Sequence, residues 1–352
     1  MAKDRLKASE LLLQTEEVLK LADLYDVTTL RKWLISDPAR PLICVANGGQ
    51  FSTFPVLLYE MNAGVAKCVT PLEFASMSPK TIANSKVLLM SSSGRNKDIT
   101  FAAQRAIKVN PNNTACLTFK DNENNKMLKE LGGKNCFIFP NDLSDGFVAI
   151  CSKFFTYGLF YKAFTGKSTL SSKLNFTPKY DYFINSEGEL PGLKNIKYFV
   201  LLYSSYGQPV AHDVESMIIE GSVAPIQVCD YRNYCHGRFI YTANRCQSKR
   251  YPQTDTCAIL LTTPREAKLA ENLRKFAMPA NLPIVQIHTE LESPLATIEL
   301  LYNTYNFIFD LAENHLGINP NSPPNFSGID KRHPMNNISF ATDLKKSGDL
   351  TF

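Results

Sequence analysis

The chain has no run of apolar residues approaching the roughly 18 that a membrane-spanning helix needs, and none of its nine cysteines forms a Cys-x-x-Cys pair. The first absence argues against a transmembrane helix. The second, with an odd cysteine count, argues against a structural zinc site or a disulfide framework and fits a reducing compartment. Cys44, Cys116 and Cys136 sit inside apolar runs and read as small core residues. The opening residues mix charges with no apolar leader segment, so the expected location is cytoplasmic. Concentrated positive charge is also missing. The 38 Lys and Arg residues stand against 33 Asp and Glu, a net charge of +5, and they are scattered along the chain. Neither nucleic acid nor an anionic membrane is the expected partner of such a surface.

What is present is the material for two ordinary domains: 352 residues, 44% hydrophobic and 20% charged. Residues 1–38 read as a helical segment. From residue 41, short buried apolar runs alternate with helical patterns. Strands are expected at 41–46, 66–70, 86–91, 114–119 and 135–139, with helices near 51–62, 98–108, 124–131 and 146–165. A polar and aromatic passage, 166–195, reads as a linker. The alternation then restarts, with strands at 197–203, 225–229, 256–262 and 283–288 and helices near 209–222, 264–277 and 293–315. Such alternation predicts α/β architecture, each domain (39–165 and 196–316) a parallel sheet flanked by helices. Residues 317–352, rich in Pro and Asn, read as an extended tail.

The most informative segment is 87–106. A buried run, Val87-Leu88-Leu89-Met90, meets Ser91-Ser92-Ser93-Gly94-Arg95-Asn96 and then an amphipathic helix. A strand, a serine-glycine turn and a helix N-terminus together aim hydroxyls, N–H groups and the positive end of the helix dipole at one point, which suits an anion. Gly166-Lys167-Ser168 lacks the upstream glycine of a nucleotide-binding loop, since Tyr161 stands there.

These features, in this order, resemble the sugar isomerase (SIS) family in its double-domain form, as in the isomerase half of glucosamine-6-phosphate synthase. Asn47-Gly48-Gly49-Gln50-Phe51 is similar to the family's first glycine turn, and Ser91–Asn96 to its phosphate loop. Asp145-Gly146-Phe147-Val148-Ala149 is similar to the segment before the last helix of the first domain. In the second domain Glu220 precedes His236-Gly237 by sixteen positions, the family's interval between its glutamate and histidine.

The resemblance implies two flavodoxin-like, five-stranded parallel sheets and a phosphorylated amino or keto sugar as substrate. It also implies no cofactor and no metal, and a homodimer in which the histidine turn of one subunit completes its neighbour's pocket. Substrate-binding candidates are Gly49, Gln50, Ser91, Ser92, Ser93, Asn96, Cys151 and Arg238. Glu220 would move the proton between C1 and C2, and His236 would open the sugar ring. Lys331 is a counterpart for the lysine that assists ring opening in the family.

Four positions depart from the family pattern: Asn96 replaces the loop threonine, Gly49 and Gln50 replace hydroxyls, and Cys151 replaces a serine. Arg95, Lys97 and Arg238 add cations suited to phosphate. No cysteine precedes Cys44, so an ammonia-generating glutaminase domain is not expected. Two functions remain open: an isomerase, deaminase or deglycase, and a non-catalytic sensor of a sugar phosphate. The second domain's loop, Thr262-Thr263-Pro264-Arg265, lacks a Ser-Gly turn, which predicts a single phosphate site, in the first domain.

Overall fold

A computed structural model describes residues 6–49, 66–143, 145–169, 174–183, 195–247, 255–276, 278–279 and 282–322. The chain divides into two compact units. The first is Tyr25–Leu143 with Lys162–Gly166, and the second is Met1–Leu24, Ser144–Tyr161 and Lys167–Pro324, each so far as described.

The first unit is built on β1 (Leu42–Val45), β2 (Ala66–Val69), β3 (Lys86–Met90), β4 (Thr114–Thr118) and β5 (Cys136–Ile138). All pair in parallel, in the order β2-β1-β3-β4-β5. Every residue of β1, β3 and β4 is buried, as a sheet covered on both faces requires. The amphipathic helix Lys97–Val109 sets Ile99, Ala102, Ala103 and Ala106 against Val87, Leu89 and Cys116. Lys86 is an exception in this apolar frame. Its ammonium donates to Leu34 O at 2.9 Å and to Trp33 O, capping the helix Thr28–Ile35, and burial pulls its pKa down to about 8.

The second unit holds β6 (Tyr180–Phe183), β7 (Tyr198–Tyr203), β8 (Ile226–Asp230), β9 (Thr256–Thr262) and β10 (Ile284–His288), in the order β6-β10-β9-β7-β8. Four of these strands are parallel, but β6 runs antiparallel to β10. The expectation of two wholly parallel sheets is therefore corrected at this edge. The stretch read as a linker supplies the edge strand, and a chain arriving from the opposite end of the sheet can pair only in that sense. Helices Cys151–Thr165, Gly207–Glu220 and Leu295–Asp310 contribute a buried polar knot to this unit. Lys153 Nζ lies 2.7 Å from Asp213 Oδ1 and 3.1 Å from Tyr305 Oη, and Tyr305 donates to Asp213 Oδ2. No helix among the described residues is long and apolar enough to cross a membrane.

In both sheets the strand order reverses beside a central strand, between β1 and β3 in one and between β7 and β9 in the other. Open α/β sheets bind ligands beyond the carboxyl ends of the strands at such points. The β3 and β9 exits are therefore equivalent places in the two units.

Candidate functional site

At the end of β3 the chain turns through Ser91–Asn96 into the helix Lys97–Val109. Gly94 makes that turn at φ +62°, and a Cβ on it would fall on the Asn125 side chain. Positive φ and close approach together require glycine there. Asn125 is itself fixed. It donates to Thr118 Oγ1 at 3.0 Å and Lys120 O at 2.8 Å, and it accepts from Leu128 N at 3.1 Å. The loop is also tied to its surroundings by Thr118 Oγ1 and Phe119 N, which donate to Ser92 O, and by Met127 N, which donates to Gly94 O.

Within the loop, Ser91 Oγ accepts from Gly94 N at 3.1 Å, and Ser93 Oγ accepts weakly from Arg95 N at 3.5 Å. A hydroxyl that accepts a bond keeps its own proton to donate. Asn96 acts as the helix N-cap, its Oδ1 accepting from Asp98 N at 2.9 Å and Ile99 N at 3.1 Å. That cap occupies two donors an anion at the helix end would otherwise use. Arg95 and Lys97 are exposed beside the turn. Asp98, in the helix's first turn, has its carboxyl pushed up from the ordinary range by burial. Gly49 follows β1, whose Val45 pairs with Leu89 of β3. Gln50, the helix expected at 51–62 and Lys331 lie outside the described residues.

The other candidates belong to the second unit. Glu220 closes the helix Gly207–Glu220, exposed, with Ser216 Oγ donating to its Oε1 at 3.0 Å. Gly221 follows, and a Cβ there would press on Pro320 at 2.7 Å, so the start of the tail lies close against this helix end. His236 and Arg238 share a π-turn, Tyr234–Arg238, kinked by Gly237 at φ +126°. Both side chains are exposed. Arg238 lies by the Cys229 thiol, which burial pushes up to about 11 against the pull of the guanidinium. Cys151 is buried instead. Its Sγ donates to Leu11 O at 3.8 Å, and burial pushes its pKa up to about 12.

The four candidates at 91, 92, 93 and 96 thus share one loop, and those at 236 and 238 share one turn. Cys151 stands apart in a packing position. Asn125, the anchor beneath Gly94, went unread in the sequence; its one signal was an Asn directly before a helical run.

No family model matches the chain, and no curated protein does. The fold is nonetheless shared with solved sugar-phosphate proteins. Glucosamine-6-phosphate deaminase from Thermotoga maritima superposes with a TM-score of 0.66 at 16% identity, over 92% of this chain and 98% of that one. Tagatose-6-phosphate ketose/aldose isomerase from Escherichia coli gives 0.61 at 14% identity, over 91% and 95%. The C-terminal domain of glucosamine-fructose-6-phosphate aminotransferase from Francisella tularensis gives 0.54 at 10%, over 88% and 97%. The architecture shared with them is α/β, with a five-stranded parallel sheet flanked by helices.

Proposed function

We propose that this protein binds a phosphorylated amino or keto sugar at the Ser91–Asn96 loop and acts on it as an isomerase or deaminase. The observation that carries the reading is the loop itself. It is a rigid serine turn at the switch point of a parallel sheet, with hydroxyls at 91 and 93 and cations at 95 and 97. Fold neighbours named for 6-phosphosugars support the substrate class. In this reading Ser91, Ser92, Ser93 and Asn96 hold the phosphate, and Gly49 and Gln50 border it. Anchoring the phosphate converts binding energy into orientation of the far end of the sugar. Glu220 takes the proton from C2 and returns it to C1, and His236 protonates the ring oxygen as the ring opens. The exposure of His236 and Arg238 on a kinked turn suits a loop that completes the pocket of a second copy. Cys151 is left out of this reading, because its thiol is buried against Leu11 O.

A second reading, a sensor without turnover, is favoured by the Asn96 cap, which occupies two helix-end donors, and by the exposure of Glu220. The two separate in one experiment. The full chain is incubated with glucosamine 6-phosphate, fructose 6-phosphate and tagatose 6-phosphate while ammonia release and aldose–ketose exchange are followed. Turnover that Glu220→Gln and His236→Asn each reduce by about 10²-fold or more supports the enzyme. A ligand-induced rise in Tm with no turnover supports the sensor. Absence of both for every sugar phosphate removes the phosphate-loop reading altogether.

A further inference from the structure

We propose that the second sheet carries its own ligand site, a cleft at its carboxyl edge that takes a small unphosphorylated polyhydroxy amine. The cleft has a volume of about 360 Å³ and is lined by Asp181, Thr262, Thr263, Gln286, His288 and Glu290, among others. That is the lower end of the range for small-molecule pockets.

The register shows how these side chains meet. Residues two apart on a strand share a face, Asp181 of β6 pairs with Gln286 of β10, and His288 of β10 pairs with Thr262 of β9. The same face begins apolar, with Ala258, Leu260 and Ile284 buried in the core of the unit. It turns polar only at its carboxyl end. A face that has no use for water-seeking groups in packing acquires four of them at the carboxyl ends of β9 and β10, beside the edge strand β6 and away from the β7/β9 switch point. His288 Nδ1 is buried and makes no hydrogen bond, lying 3.6 Å from Asp181 Oδ2, and its side chain is 31% exposed.

The chemistry of the lining selects the ligand. At the β3 exit of the first unit, hydroxyls and flanking cations suit an anion. At the β9 exit, Glu266 holds the turn before the helix Ala267–Phe276. Its carboxylate accepts from Thr263 N at 3.1 Å and from Thr263 Oγ1. An internal anion thus occupies the place a phosphate would seek, and among the described residues neither Lys nor Arg lines the cleft. Asp181 and Glu290 instead present acceptors, which suit an ammonium group and hydroxyls. Among the described residues no group of three or more His, Cys, Asp or Glu side chains could hold a metal ion, so an organic ligand is the better fit.

The test is isothermal titration of the full chain with D-glucosamine, with D-glucose and inorganic phosphate as comparison ligands. Glucosamine is expected to bind, glucose about tenfold more weakly, and phosphate not to displace glucosamine. Asp181→Asn and Glu290→Gln alter exposed side chains, so folding is preserved, and each weakens glucosamine about tenfold. Ser93→Ala in the first unit leaves that affinity unchanged, which separates this site from the phosphate loop. No binding of glucosamine, glucose binding as tightly, unchanged affinity in both carboxamide variants, or loss of binding in Ser93→Ala would each overturn the proposal.

Discussion

The turns that leave β3 and β9 occupy the same place in two sheets whose first four parallel strands share one order, yet they are built in opposite ways. The β3 turn needs glycine at 94, backs onto Asn125 and carries serine hydroxyls followed by the exposed cations Arg95 and Lys97. The β9 turn contains no glycine and is closed by the Glu266 carboxylate. The fold thus fixes where a ligand sits, while a few loop residues decide its charge. A site cannot be carried from one unit to the other by topology alone.

The sharpest way to break this comparison is Gly94→Ala. The substitution meets a positive φ, costing about 1–2 kcal/mol. It also displaces Asn125, whose three hydrogen bonds are worth about 1 kcal/mol each. A loss of about 3 kcal/mol or more is expected in denaturant unfolding. Gly132→Ala is the control, with a similar φ of +59° and open space around it, so it should lose only about 1–2 kcal/mol. Equal losses at the two positions would mean that Asn125 does not brace the β3 turn.

Glu266→Gln probes the other turn. Replacing the carboxylate weakens the bonds from Thr263 and costs about 1 kcal/mol, the usual worth of such a cap. It also removes the internal anion, so inorganic phosphate should begin to bind at the β9 exit, detected by titration in a Ser93→Ala background. If phosphate is still refused, something other than Glu266 sets the charge preference there.

The contrast also explains what could be read in advance. β1 and β7 are unbroken apolar runs, and β3, β4 and β9 carry apolar stretches bounded by Lys86 or by threonines, so hydropathy located them. β6 was missed because Tyr180-Asp181-Tyr182-Phe183 is a short, half-polar edge strand with no apolar run to mark it. The serine turn was legible because its residues are contiguous. The cleft at the β9 exit was not, because its lining comes from positions 181, 262–263 and 286–290, which only strand pairing brings together. The burial of Cys151 was equally hidden, since the carbonyl it meets belongs to Leu11, 140 residues away.

The smallest expected effect tests the electrostatics of the β3 turn most directly. Asp98 stands two residues beyond Asn96, and burial raises its pKa above the unfolded value. Between those two values the folded chain holds more proton than the unfolded chain, so stability falls as pH rises through that interval, and the ionised carboxylate is a net cost above it. Asp98→Asn should flatten that part of the Tm–pH profile. Part of the gain is offset by the lost attraction of an acid for the helix N-terminus, about 0.3–1 kcal/mol. The same substitution removes a negative charge beside the anion cradle. Phosphate should then bind about two- to fivefold more tightly at pH 7.5, the size expected of one partly screened charge. Unchanged or weaker phosphate binding would mean that Asp98 does not face the ligand, and the charge contrast between the two turns would then rest on Arg95, Lys97 and Glu266 alone.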